Sequence, residues 1–375
     1  TSAFVTDNAD LIVLRDSGGL LLGRLVAVLR ALRDFALRYR SLPTVAYTHF
    51  QPAQLTTVGK RAALWLQDFA LDTAALRETI DTLPFRGCKG TTGTQASFLE
   101  LFGGNHEKVR QLDRRLAAAF GFAQSLPITG QTYTRKIDSR TVDVFAGIAQ
   151  SAAKLGTDLR LLQHEGEVLE PAEAEQVGSS AMPYKRNPVR SERICALSRY
   201  LIALRDNTAH TAATQWLERS LDDSANRRLV LPESALAADA ILILVTNVSA
   251  GLEVREPTIR RAVDRVMPFM ATERWLMLSV QAGGDRQTLH EVIRQHSRAA
   301  AAQVEAGGPN DLLERLARDP AFAKLEAASL RRELEPARYV GRAPEQVVEY
   351  VEQTLDPLLG AMASYAVTDE AEVRV

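Results

Sequence analysis

The sequence predicts an all-α fold, and three observations carry that prediction. Long segments repeat apolar residues at intervals of three and four, the period that lays one apolar stripe along a helix. No stretch shows a convincing two-residue alternation of the kind a half-buried strand displays. A further segment, from about Glu233 to Val254, is apolar nearly all round and therefore belongs at the centre of a bundle.

In chain order, the first helix carries Leu11, Leu14, Gly18, Leu21, Leu25, Val28, Leu32 and Phe35, with Asp7 or Asn8 placed to cap its start. Gly18-Gly19 weakens this helix locally and leaves room for a close neighbour. A second helix carries Leu66, Phe69, Thr73, Leu76, Ile80 and Leu83 and stops at Pro84. A third carries Phe145, Ile148, Ala152, Leu155, Leu159 and Leu162. Such long helices bury their stripes against one another as an extended bundle. Beyond Glu256-Pro257 the helices shorten, separated by Gly-Gly at 283–284 and 307–308 and by Pro309, Pro320 and Pro336. The expected division is a central helical-bundle catalytic domain over 1–254 and a smaller C-terminal helical domain over 255–375.

Composition narrows the function. With 375 residues, 46% hydrophobic and 24% charged, the chain can bury a large core. A net charge of -1 argues against a nucleic-acid partner held by a broad basic field, but leaves space for a local phosphate pocket. Cys88 and Cys195 lie far apart without metal spacing, which points to a reducing cytoplasm and to neither disulfides nor zinc. The apolar run Ala240 to Val245 is too short to cross a bilayer, no longer one stands out, and no membrane partner is expected. The chain opens on Thr1 and its first residues read as the inside of a structured region, so a processed or truncated piece is expected.

Reactive groups concentrate in the polar stretches between helices. The most informative is Gly178-Ser179-Ser180-Ala181-Met182-Pro183-Tyr184-Lys185-Arg186-Asn187-Pro188. Its prolines exclude a helix interior, and its glycine permits movement, so it reads as a mobile loop bearing hydroxyls, an ammonium and an amide. Gly-Ser-Ser alone is common in linkers, but linkers do not continue into Met-Pro-x-Lys-x-Asn-Pro. A serine becomes a base only where its alkoxide is stabilised, which backbone N–H groups or Lys185 could do.

Three other loops matter. In Thr48-His49-Phe50-Gln51-Pro52-Ala53-Gln54, His49 is flanked by a hydroxyl and amides able to fix its tautomer; alone, such a histidine is more often an ordinary hydrogen-bonded one. Gly87 to Gln95 could cradle an anion on backbone donors, with a structural turn an equal alternative. In Trp216 to Arg228, Arg219, Ser224 and Arg228 could clamp a phosphate, whereas the commoner fate of such a run is a surface paired with Glu218, Asp222 and Asp223. His106, His164 and His290 each lack the second histidine of a zinc helix, and no nucleophile elbow or dinucleotide fingerprint occurs. Chemistry without metal or cofactor is the economical reading.

The Ser-Ser loop and the Thr-His motif resemble those of the fumarase/aspartase superfamily of lyases. Gln54 to Arg61, Lys89 to Phe98, Ile128 to Tyr133 and Trp216 to Arg228 are similar to the adenylosuccinate lyase family within it. The resemblance runs from Thr1 to near the C-terminus and is strongest from Thr48 to Arg228. It implies the bundle of that superfamily and cleavage of adenylosuccinate, or of the succinyl-carboxamide ribotide of purine synthesis, with release of fumarate. It implies that His49 is the general acid, Ser179 the base, and that Lys185 and Asn187 hold the succinyl carboxylates. Thr1, Ser2, Thr48 and Gln131 match positions around the succinyl portion. Arg193, Arg219, Ser224 and Arg228 match the nucleotide side. A homotetramer with sites shared between subunits is also implied.

The family has an N-terminal helical domain ahead of the position of Thr1, supplying a second histidine and further phosphate ligands. The 375-residue chain alone is therefore expected to show little lyase activity. Two alternatives stand beside this reading: another lyase of the superfamily, of the argininosuccinate lyase or cycloisomerase type, and a non-catalytic structural relative. The second predicts substitutions at His49, Ser179 or Lys185, and all three are intact.

Overall fold

A computed structural model describes residues 2–172, 182 and 184–365. Helices dominate, and the chain forms two compact units, each assembled from segments distant in sequence. One comprises Thr1–Arg33, Leu64–Glu253 and Glu352–Val375; the other comprises Asp34–Ala63 and Val254–Val351.

The first unit holds most of α1 (Ser2–Arg38) and α2 (Val58–Asp81), the short α3 (Ala96–Leu101) and α4 (His106–Ala119), and the long α5 (Lys136–His164), α6 (Val189–Ala213) and α7 (Asp223–Ala250). The expected stripes are the buried ones: Leu11, Leu14, Leu21, Leu25, Val28 and Leu32 on α1, and Leu66, Phe69, Thr73, Leu76 and Ile80 on α2. On α5 the stripe from Phe145 to Leu162 faces inward, and α5 packs along both α6 and α7. Gly18 marks a true close approach, because a Cβ there would lie 2.2 Å from Ile80 Cδ1.

Three expectations are corrected. Asp7 and Asn8 do not cap α1; the helix starts at Ser2, and both side chains are buried and tie α1 to other segments. The segment expected from Glu233 is the later part of α7, which begins at Asp223 and runs through Pro232. Pro232 lacks the N–H that would reach the carbonyl of Arg228, so the sequence reads as a break that packing overrides. By length and composition α7 could also cross a membrane, with mean hydropathy 1.9, yet half of that window is buried in the protein, as in a core helix.

The second unit contains the third surprise, a β-hairpin in a mainly helical chain. Strands β1 (Pro43–Thr48) and β2 (Gln51–Thr57) pair antiparallel, Val45 with Leu55 and Thr48 with Gln51, with a shift in register between Val45 and Tyr47. Mixed polar side chains and Pro52 hide the alternation in sequence. Helices α8 (Glu256–Met270), α9 (Thr272–Gln281), α10 (Arg286–Glu305) and α11 (Leu312–Arg318) complete this unit with shorter pieces. Its core gathers Trp275, Leu289, Ile293, Leu312, Leu316, Phe322 and Leu330, and the Trp275 indole donates to the Leu330 carbonyl at 2.9 Å.

Candidate active site

Within the first unit, a cavity of about 660 Å³ lies between the N-terminal turns of α1 and α7. Ser2, Thr6, Asp7 and Asp10 line it from α1; Arg219, Asp223, Ser224, Arg227 and Arg228 line it from α7 and the loop before it; Arg135 closes one wall. Four of the expected substrate residues, Ser2, Arg219, Ser224 and Arg228, therefore share one space.

The guanidiniums are held by buried carboxylates. Arg135 is 2% exposed and donates from Nε to Asp223 at 2.6 Å and from its terminal nitrogens to Asp7 at 3.3 Å. The other Asp223 oxygen accepts from Arg219 at 2.7 Å. Arg227 donates to Asp138 at 2.6 Å, pairs with Asp10 at 2.9 Å and reaches the Tyr133 hydroxyl at 2.5 Å, while that hydroxyl donates to Asp138 at 2.6 Å. Burial, and then the Asp138 charge, push the Tyr133 phenol well above its ordinary pKa, so it stays a neutral donor. Burial also raises the Asp10 carboxyl, against the opposing pull of Arg227. Arg228, by contrast, has no ion pair or hydrogen bond from its side chain among the described residues. An uncompensated guanidinium beside Ser224 at a helix N-terminus suits an anion.

Loops fix this wall. Leu217 adopts φ 43°, and Arg219 N–H bonds to the Trp216 carbonyl at 3.0 Å, turning the chain tightly before α7. Gln131 N–H donates to the Glu218 carbonyl at 2.9 Å, and its own carbonyl accepts from buried Arg86. A Cβ on Gly130 would lie 2.6 Å from the Glu218 carbonyl oxygen, and one on Gly93 would lie 1.8 Å from that of Thr129. The runs around 93, 130 and 218 thus interlock through missing side chains.

The Gly87 to Gln95 loop does not offer its lysine to an anion. Lys89 is 4% exposed and pairs with Asp113 at 2.5 Å, and the same carboxylate accepts from Cys88 N–H at 2.8 Å and from Gln95 at 2.9 Å. Its cation is already neutralised inside the fold, so Lys89 serves the structural turn.

The remaining expected residues fall elsewhere. His49 sits with Phe50 at the tip of the β1–β2 hairpin in the second unit, at φ 53° and 59°. Those left-handed values are what a two-residue hairpin turn demands, and non-glycine residues pay for them in strain of a kind concentrated at functional sites. Thr48 ends β1 and, like His49, is exposed. The neighbouring hydroxyl and amides do not fix the His49 tautomer: its ring has no partner among the described residues. Lys185 is exposed, Asn187 half-buried, and Arg193 exposed on the first turns of α6. Thr1 and Ser179 lie outside the described residues.

The base of the Ser-Ser loop is nevertheless clasped. Buried Glu170 accepts from Arg190 N–H at 3.0 Å and from Ser191 N–H and hydroxyl, each at 2.9 Å, satisfying the orphan donors that open α6. Arg186 donates to the Glu170 carbonyl at 3.0 Å and binds Glu253 through two bonds of 2.8 Å. Sequence reasoning missed Glu170, Arg135, Asp138, Asp223 and Arg227 as site-forming residues. All five lie in polar loops or the first turns of helices, where charge is ordinary, so the sequence carried no signal of their burial.

Comparison with known proteins bears on all of this. Residues 4–201 match a family described as Lyase, and residues 268–350 match Adenylosuccinate lyase C-terminus. The adenylosuccinate lyase of Saccharomyces cerevisiae is 48% identical over 378 residues, covering 100% of this chain and 78% of the yeast protein. That of Schistosoma mansoni is 45% identical over 362 residues, covering 96% and 75%. Among solved structures, a fumarate lyase from Mesorhizobium matches with TM-score 0.76 at 26% identity, over 96% of this chain and 77% of that one.

Proposed function

Because the chain belongs to the adenylosuccinate lyase family, carbon–nitrogen lyases of the fumarase superfamily, we propose that it eliminates fumarate from two purine-pathway substrates. Adenylosuccinate would leave AMP, and succinylaminoimidazole carboxamide ribotide would leave AICAR. The single observation that supports this reading best is the cavity in which Ser2, Arg219, Ser224 and Arg228 meet, with Arg228 uncompensated among the described residues. The nucleotide phosphate is assigned to Arg219, Ser224 and Arg228. Arg193 is assigned to the nucleotide as well, and Thr1, Ser2, Thr48, Gln131 and Asn187 to the succinyl portion.

In the assigned chemistry, Ser179 as alkoxide takes the proton from the carbon beside a succinyl carboxylate. The electron pair left behind forms the C=C bond of fumarate as the C–N bond breaks. His49 donates a proton to the departing nitrogen, and Lys185 stabilises the anionic centre while charge develops there. Each step balances without an external oxidant, reductant or cofactor.

We further assign a homotetramer and a cytoplasmic location. Exposed apolar side chains on α7, Leu229 and Leu236, support burial between subunits. Both cysteines are free thiols, as a reducing compartment keeps them. The deciding experiment replaces Ser179 with alanine in the full-length enzyme and follows fumarate by absorbance. Turnover is expected to fall about 10²–10⁴-fold with AMP binding retained; turnover within a few-fold of the parent would remove Ser179 as the base.

A further inference from the structure

The Asp223 carboxylate has a job that neither the motif nor the family match assigns. Its side chain is fully buried at the first turn of α7, and both oxygens are committed, one to Arg135 and one to Arg219. Arg219 is the more exposed of those two guanidiniums, 25% against 2%, and it faces the cavity. We propose that Asp223 is a positioning residue: braced from behind by Arg135 and Asp7, it holds the Arg219 guanidinium aimed at the phosphate end of the nucleotide. The inference rests on the reading that this phosphate occupies the cavity.

Three features make the brace rigid. Asp223 cannot turn away, because Arg135 binds it at 2.6 Å and is itself held by both oxygens of Asp7. Arg135 also lies over the Tyr133 ring, 4.6 Å from its centroid, so its plane is set. The backbone carrying Arg219 is pinned by the Gln131 N–H on the Glu218 carbonyl and by close packing on Gly130. With chain and side chain both fixed, Arg219 loses little rotamer freedom when an anion arrives. The brace is also electrostatically economical. A lone carboxylate this near an anion would repel it, but Asp223 is shared between Arg135 and Arg219, and the cavity lining sets four arginines against three aspartates, with Arg228 carrying the uncompensated charge.

A plain structural ion pair would behave differently from a positioning one, and two substrates separate them. In the full-length enzyme, kcat and KM are measured with adenylosuccinate and with its analogue lacking the 5′-phosphate. Asp223→Asn is expected to raise KM for the phosphorylated substrate about 10- to 100-fold, the span of a lost charge-assisted contact. Its kcat, and the kcat/KM for the dephosphorylated analogue, should stay within about three-fold. Equal losses on both substrates, or no loss on either, overturn the proposal. Asp223→Glu keeps the charge, so it decides the matter if the asparagine variant does not fold. It should shift the same KM upward about three- to ten-fold by displacing Arg219, and an unchanged KM refutes the brace. Arg219→Ala tests the underlying reading separately. If that variant keeps the parent's preference for the phosphorylated substrate, the phosphate lies elsewhere. If it loses that preference while both Asp223 variants keep it, only the positioning role falls.

Discussion

Replacing Asp72 by asparagine is expected to stabilise the protein at neutral pH, although it removes a hydrogen-bonded charge. Asp72 sits on α2 facing α5, where it accepts from the Ser151 hydroxyl at 2.6 Å and lies close over Gly147. Burial pushes its pKa from 3.8 to about 6; the Ser151 bond opposes that shift and nearby Asp68 adds to it. The sign follows from proton linkage. Below pH 3.8 the group is protonated whether the chain is folded or not, and contributes nothing. Between 3.8 and about 6 the folded state binds more protons than the unfolded state, so stability falls as pH rises. Above that window the whole penalty is present, about two pK units at roughly 1.4 kcal/mol each, or ~3 kcal/mol. Asparagine is neutral throughout and its amide oxygen can still accept from Ser151. The expected gain at pH 7.5 is therefore about 1–3 kcal/mol, shrinking to nothing near pH 4. Urea unfolding of both proteins at matched concentration, at pH 4, 5.5 and 7.5, measures it. A variant no more stable than the parent at pH 7.5, or equally more stable at pH 4, would refute the reasoning.

Two further outcomes follow from buried charges. Lys89→Met strands the Asp113 carboxylate in the interior and should cost about 3–5 kcal/mol in a denaturation curve, with the KM of the surviving folded enzyme within a few-fold of the parent. A large KM change at unchanged stability would restore the loop as an anion cradle. Glu170→Ala removes the acceptor from three donors at the start of α6 and should cost about 2–4 kcal/mol. Amide hydrogen exchange at Arg190 and Ser191 should speed up at the same time, and unchanged protection there would show that the clasp is not Glu170.

Helix stripes were readable in advance because burial repeats with the helical period whatever the partner. Leu11 to Leu32 and Phe145 to Leu162 needed no knowledge of what they pack against. Gly18 was readable for the same reason: a glycine inside a good helix has few other uses. The hairpin bearing His49 was not readable, since its strands lack clean alternation and its turn uses His49 and Phe50 in place of the usual glycine or asparagine. The start of α7 was hidden by Pro232, whose local veto on a helix interior gave way to the burial of Val230, Leu231 and Ser234 around it.

Composition and order of residues, taken alone, settled the helical class and the lyase family, because a stripe and an eleven-residue motif are properties of neighbours along the chain. Which arginine is already paired and which is left for an anion is not such a property. Arg135 meets Asp223 across 88 positions and Asp7 across 128, and Lys89 meets Asp113 across 24. Only folding decides those partners. Charge acts through distance in space, and burial sets how strongly it acts, so Lys89 is closed off inside the fold while Arg228 remains open to the cavity.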